Sequence, residues 1–247
     1  MKQIKQKFTF LLSMLVILFV SACKQENMCD CIKRTGNIET TKRWASNFDK
    51  IYLEDNVNVF ITQDSSFDVE VEAGKNVGWL IETEVADGTL FIRNKNRCNW
   101  TRSYNKPLNV YIKMPVIKYI TSNGSGTIKS LNTITTPAFD LQIKSSGNID
   151  LMVNNSLVTS HIFGYGDVTL SGSTHEHDAD IGGSSFLNCR NLQTSKTYLH
   201  TFTTGLCYVS ASDYLICHID LNGDVYCYNH PTTVEKKLTS SGQLYLE

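Results

Sequence analysis

"SSGNIDL", running from Ser145 to Leu151, is a polar corner, a glycine, and then apolar residues at every second place. The unit returns as "GYGDVTL" (164–170), "TTGLCYV" (203–209), "LNGDVYC" (221–227) and "SSGQLYL" (240–246). Counting from "GSGTI", the marker glycines are Gly126, Gly147, Gly166, Gly205, Gly223 and Gly242, separated by 21, 19, 39, 18 and 19 residues. The interval of 39 is two periods, so a degenerate unit is expected near 184–185, in "GGSSFLN" (182–188), with Ser184 standing in for glycine. Two places after each marker come Ile128, Ile149, Val168, Phe186, Cys207, Val225 and Leu244. Four places after, Leu151, Leu170, Val209, Cys227 and Leu246 continue the pattern, which Ser130 and Asn188 break.

Alternation of this kind describes a strand with one buried face. A fixed period near twenty residues describes a solenoid, in which each coil stacks on the next at about 4.8 Å. Equivalent corners need equivalent backbone, and glycine supplies either positive φ or room for close stacking. A second alternating stretch precedes the corners: Phe139, Leu141 and Ile143 before Gly147, and Leu215, Cys217, Ile219 and Leu221 before Gly223. Two strands per period give an all-β, single-domain parallel β-helix with coils of about 18–21 residues over residues 36–247. An antiparallel sandwich is the alternative, but regular hairpins do not demand one corner repeated at a near-constant interval. The N-terminal half is less regular. "TGNIE" (35–39), "DNVNV" (55–59), "DGTLFI" (87–92) and "PLNVYIKMP" (107–115) follow the unit, with longer excursions between them. The last unit, "GQLYLE", shows no cap, so a homo-oligomer through the edge of the C-terminal coil is expected.

The first residues belong to targeting. Lys2, Lys5 and Lys7 precede an apolar run from Phe8 to Val20, too short to span a bilayer comfortably, and "VSAC" ends it at Cys23. This is similar to a bacterial lipoprotein signal: residues 1–22 removed, Cys23 lipidated, and residues 23–35 a tether. By similarity to enterobacterial sorting rules, Lys24 after the cysteine gives no reason for inner-membrane retention, so an outer-membrane anchor is expected, with its face left open. Without the three signal lysines the 23 basic residues fall to 20 against 24 acidic ones, and no basic patch points to nucleic acid. Seven cysteines remain after Cys23, an odd number, so at least one stays unpaired within the chain. "CDC" (29–31) is too tight for a zinc knuckle. Cys31 and Cys98, both outside the regular coils, are the expected disulfide; Cys207, Cys217 and Cys227 are expected to act as small buried apolar residues.

"FDKIYLEDNVNVFITQD" (48–64), "VEVEAGKN" (69–76), "DGTLFIRNKNRCNW" (87–100), "KPLNVYI" (106–112) and "SGNI" (146–149) resemble the GIN-type head domain of autotransporter-adhesin type, common in envelope lipoproteins of Bacteroides-like bacteria. The resemblance spans nearly the whole mature chain and is most specific from Phe48 to Trp100. It implies a right-handed β-helix at the cell envelope, with no catalytic motif and no cofactor to carry over.

Chemistry is sparse. In "STHEHDAD" (173–180), strand alternation would put His175 and His177 on one face and Glu176, Asp178 and Asp180 on the other. Two imidazoles alone do not make a metal site, and a solvated corner is the simpler expectation. Because parallel β-helices include polysaccharide lyases and hydrolases, a carbohydrate-active enzyme is the alternative function. Asp167 and Asp224 follow corner glycines three coils apart, roughly 14 Å along the axis, beyond the reach of a glycosidase pair. Aspartate beside glycine is ordinary turn chemistry. Tyr208, Tyr226 and Tyr245 each sit three places after a marker, between the inward positions, and should stack outward as a ladder. The expected function is therefore a non-enzymatic envelope lipoprotein, an adhesin or structural module that meets a protein or glycan on this ladder.

Overall fold

The computed structural model describes residues 34–96 and 106–247. Cys23, Cys31 and Cys98, with the signal and most of the tether, lie outside the described residues. The described chain is all-β, a solenoid of about seven turns with a less regular N-terminal part. That part comprises β1 (Ile38–Arg43), β2 (Lys50–Asp55), β3 (Asn58–Gln63), β4 (Asp68–Gly74), β5 (Ile81–Ala86), β6 (Thr89–Asn94) and β7 (Asn109–Met114). The regular coils follow as β8 (Tyr119–Gly124), β9 (Ile128–Ser130), β10 (Ala138–Ile143), β11 (Ile149–Gly164), β12 (Val168–Gly183) and β13 (Leu187–Asn188). They end with β14 (Leu192–Thr203), β15 (Cys207–Ser210), β16 (Tyr214–Ile219), β17 (Val225–Tyr228), β18 (Thr233–Leu238) and β19 (Leu244–Leu246).

Two long parallel faces result. One runs β6, β2, β8, β10, the second half of β11, the second half of β12, β14, β16, β18. The other runs β7, β3, β9, the first half of β11, the first half of β12, β13, β15, β17, β19. In the middle coils, Val153, Gly172 and Leu192 stack on a third, shorter side. Chain order and spatial order differ at the N-terminal end: the β2–β3 coil lies between the β6–β7 coil and the β8–β9 coil. Antiparallel strands close that end, β5 on β6 and β1 on β4, which itself lies on β7. "TGNIE" accordingly opens an edge strand rather than a coil: β1 is exposed along five of its six residues, and its Lys42 pairs with Asp68 and Glu70 of β4.

The repeat maps onto one axial stack. Ile128, Ile149, Val168, Leu187, Cys207, Val225 and Leu244 are in register, and all but the last are buried. The degenerate unit is shifted by one residue from the sequence expectation. Ser185 holds the glycine position, Leu187 points inward, and Phe186 is 45% exposed. A one-residue slip exchanges the faces of a strand, which is why the difference matters. At the far end, Leu244 is half-buried and Leu246 is exposed, because no strand among the described residues stacks beyond β19.

Close stacking, not positive φ, explains the marker glycines. A Cβ on Gly147 would lie 2.4 Å from the Gly126 carbonyl oxygen, one on Gly166 2.0 Å from that of Gly147, and one on Gly223 2.3 Å from that of Gly205. None of the markers is among the glycines with positive φ. Each corner leaves room only for the backbone of the next.

Inward positions fill the interior with Ile, Val, Leu and thiols. Cys189, Cys207, Cys217 and Cys227 are buried and unpaired. Burial pushes the thiols of Cys207 and Cys217 up to about 12 and that of Cys227 up to about 11, so they remain protonated and inert. The expectation that Cys207, Cys217 and Cys227 pack as small apolar groups agrees with this interior.

Candidate functional site

The outward column of the second face can be followed from end to end: Tyr111, Phe60, Lys129, Asp150, Thr169, Asn188, Tyr208, Tyr226, Tyr245. Period-two alternation puts all of these side chains outside, and parallel register puts them one above another. At one end the Phe60 and Tyr111 rings stack at 5.0 Å. In the middle, Lys129 Nζ lies 2.6 Å from Asp150 Oδ2, so Asp150 is an ion-pair partner. At the other end stands the tyrosine ladder. The Tyr208 and Tyr226 centroids are 5.4 Å apart at 34°, and those of Tyr226 and Tyr245 are 4.9 Å apart at 19°. The Tyr226 ring is thus covered by its neighbours. Burial, with Tyr245 and Asp224 adding to it, raises its phenol above the ordinary range.

Arg190 joins the ladder from the turn between β13 and β14. Its guanidinium carbon lies 4.7 Å from the Tyr208 centroid and 4.8 Å from that of Tyr228. A guanidinium over an aromatic face is attracted by the ring quadrupole. The turn position gave no sequence signal, and only stacking of β15 and β17 beside it brings the two rings into reach.

The first face carries a different column: His161, Asp180, His200, His218 and Lys237. Asp180 lies between two imidazoles, 3.3 Å from His161 Nδ1 and 3.5 Å from His200 Nδ1. His200 Nε2 reaches Asp220 Oδ2 at 2.8 Å, and this contact is the first cause holding the Asp220 carboxyl below its usual range. Beside them Phe163 and Phe202 stack at 5.6 Å across Gly182, where a Cβ would strike the Phe202 ring at 2.3 Å. Sequence reading missed this column. Its signal was present, since 161, 180, 200 and 218 recur at intervals of 19, 20 and 18, the period of the glycines.

The structure separates His175 from His177. Strand pairing skips His175, which is exposed at a corner between the halves of β12, while His177 resumes the alternation pointing inward. His177 is 1% exposed, and its Nε2 shares a 3.1 Å hydrogen bond with Ser160 Oγ. Its Nδ1 has no partner, and burial lowers its pKa from 6.5 to about 4. Strand alternation predicted one shared face; the corner at His175 changes the phase. Among the described residues, no three His, Cys, Asp or Glu side chains are grouped to hold a metal ion.

The carboxylates are mostly engaged in structure. Asp224 Oδ1 accepts the Gln243 N–H at 2.9 Å at one corner; at Asp167 it is the backbone N–H, rather than the carboxylate, that is held, by Asn148 Oδ1 at 3.0 Å. Asp178 and Asp180 are neighbours on one open strand face, and burial followed by Asp180 raises the Asp178 carboxyl.

Stacked parallel coils bearing continuous outward ladders define a β-solenoid scaffold that presents surface chemistry. The family model "Putative auto-transporter adhesin, head GIN domain" matches residues 47–231, and the chain belongs to that family. Its fold is similar to a structure from Bacteroides fragilis described as a putative adhesin, with a TM-score of 0.81 and 20% identity over 87% of this chain and 100% of that one. A Parabacteroides distasonis structure described as a putative lipid binding protein gives a TM-score of 0.69 at 17% identity, again over 87% and 100%. A putative adhesin from Parabacteroides distasonis gives 0.64 at 19%, with the same coverage. At such identities the likeness is one of fold. No curated protein matches the chain.

Proposed function

We propose that the protein is a non-enzymatic binding module of the bacterial cell envelope, anchored to the outer membrane by lipid on Cys23. Its contact surface is the ladder Tyr208, Tyr226 and Tyr245. The single observation behind this reading is the continuous ring stack on an outward face, with Arg190 drawn onto it. Tyrosine offers large contact area with few rotors to fix, which suits recognition. Membership of an adhesin-type family supports a binding role, and the lipoprotein-like "VSAC" ending at Cys23 supports the anchor.

The test has two parts. Cys23→Ala should abolish lipid labelling and release the protein from membrane fractions; unchanged labelling refutes the anchor. The soluble form lacking Cys23 is then probed on protein and glycan arrays and sized in solution. Capture of a partner that Tyr226→Ala abolishes supports the ladder as the contact. Cleavage of a polysaccharide by a monomer would instead establish a carbohydrate-active enzyme. Self-association through the C-terminal coil would be read directly from the size.

A further inference from the structure

The geometry of Arg190 points to the class of ligand: we propose that Arg190, with the hydroxyls of Tyr208, Tyr226 and Tyr228, binds the carboxylate of an acidic polysaccharide. The inference rests on the ladder being the contact surface and specifies what it contacts. Arg190 is exposed, and its guanidinium lies over two tyrosine rings at 4.7 and 4.8 Å. Ring faces attract its charge but provide no oxygen to accept its N–H groups. No carboxylate or carbonyl among the described residues lies within hydrogen-bond or ion-pair distance of that guanidinium; only its backbone N–H is engaged, by Asn188 Oδ1. Two other arginines differ: Arg93 lies between Glu54 and Glu84, and Arg43 donates to the Gly78 carbonyl. Arg190 is therefore a positioned cation whose planar fork of donors is unfilled, the arrangement that recognises a carboxylate bidentately.

The ladder selects the setting of that carboxylate. Its rings recur every 4.9–5.4 Å along the solenoid axis, one phenol per coil. An extended peptide laid along the axis repeats same-side groups only every second residue, about 6.6 Å, and falls out of step within two coils. A pyranose chain carries hydroxyls on every side of each unit, so whatever its twist it offers a polar group to successive phenols. Stacked rings turn their faces toward one another and their edges and hydroxyls outward, which favours hydrogen bonding to sugar hydroxyls over ring-on-ring stacking. Charge complementarity then places an acidic unit at Arg190.

The experiment uses the full chain in detergent and measures binding of oligogalacturonate, its neutral methyl ester and a polyglutamate peptide by calorimetry. Oligogalacturonate should bind at least tenfold more tightly than the ester, and Arg190→Gln should erase that difference. Arg190→Lys keeps the charge, loses the fork, and should recover only part of it. Comparison of acid with ester in the unaltered protein needs no variant, so a folding defect in Arg190→Gln does not blunt the test. Equal binding of acid and ester, no binding of either acidic probe, or polyglutamate binding as tightly as the oligouronate overturns the proposal. A neutral glycan or a protein captured through Tyr226 without effect of Arg190→Gln overturns it while leaving the ladder as the contact surface.

Discussion

Acidification should destabilise this protein through one buried side chain. His177 occupies an inward column with Phe139, Val158, Thr197 and Leu215, and its pKa falls from 6.5 to about 4. Burial causes the shift, because the charged imidazole would be stranded among apolar neighbours. The sign follows from proton counting: between pH 6.5 and about 4 the unfolded chain binds a proton that the folded chain refuses. The stability contribution is full above pH 6.5 and is lost as pH falls through the folded value. At about 1.36 kcal/mol per pH unit the full loss is about 3 kcal/mol, of which about 2.5 kcal/mol should be gone at pH 4.5. The assay is urea unfolding of the wild type and His177→Leu at pH 7.5 and pH 4.5. Every other ionisable group is common to the two proteins, so the difference between the two curves isolates His177. The leucine variant also leaves the Ser160 hydroxyl without its partner, a pH-independent offset of about 1–3 kcal/mol that Ser160→Ala in the same background should relieve. If wild type and variant lose stability in parallel between the two pH values, the imidazole is not the buried neutral group described here.

Gly166→Ala would place a Cβ 2.0 Å from the Gly147 carbonyl oxygen and should cost about 1–3 kcal/mol or more by chemical denaturation; a neutral substitution would show that the corner can spread. Val168→Ala should cost on the order of 1–2 kcal/mol through its cavity, whereas Leu244→Ala, on a half-buried terminal position, should cost well under 1 kcal/mol. Cys207, Cys217 and Cys227 should resist alkylation at pH 8 until the chain is unfolded, and their raised pKa values mean that stability present below pH 9 declines above it; rapid native labelling would contradict their burial. Mass spectrometry of the unreduced mature protein should yield a Cys31–Cys98 peptide pair, and separate free-thiol peptides would dispose of it.

The period was legible because corners are constrained one at a time: each marker glycine answers to the carbonyl of the coil beneath it, so the same residue type must return. Where that constraint relaxes, legibility goes with it. Ser185 breaks the glycine series, and Phe186 and Leu187 are both apolar, so local pattern cannot choose which faces inward; the neighbouring Val168 and Cys207 decide it. The tyrosine ladder could be read for the opposite reason, since Tyr208, Tyr226 and Tyr245 share both period and phase with their markers. His177 was misplaced because the turn at His175 interrupts the alternation, and turn geometry is not encoded in residue parity. Arg190 has no repeat to belong to, and its environment exists only once three separate coils have stacked.

The displaced order of the first coils sets how this molecule can assemble. Beyond β8 each new coil finds its platform already made, so growth there can proceed like a zipper, with short loops to close. The β2–β3 coil, by contrast, is a keystone. It has no parallel neighbour on one side until the chain has travelled out to β6 and β7, and none on the other until it has returned to β8 and β9. Trimming coils from the C-terminal end should therefore leave a shorter but coherent stack. Cutting the chain between β3 and β4 removes the piece on which both directions of stacking depend, and the β6–β7 coil would lose the only parallel partner it has among the described residues.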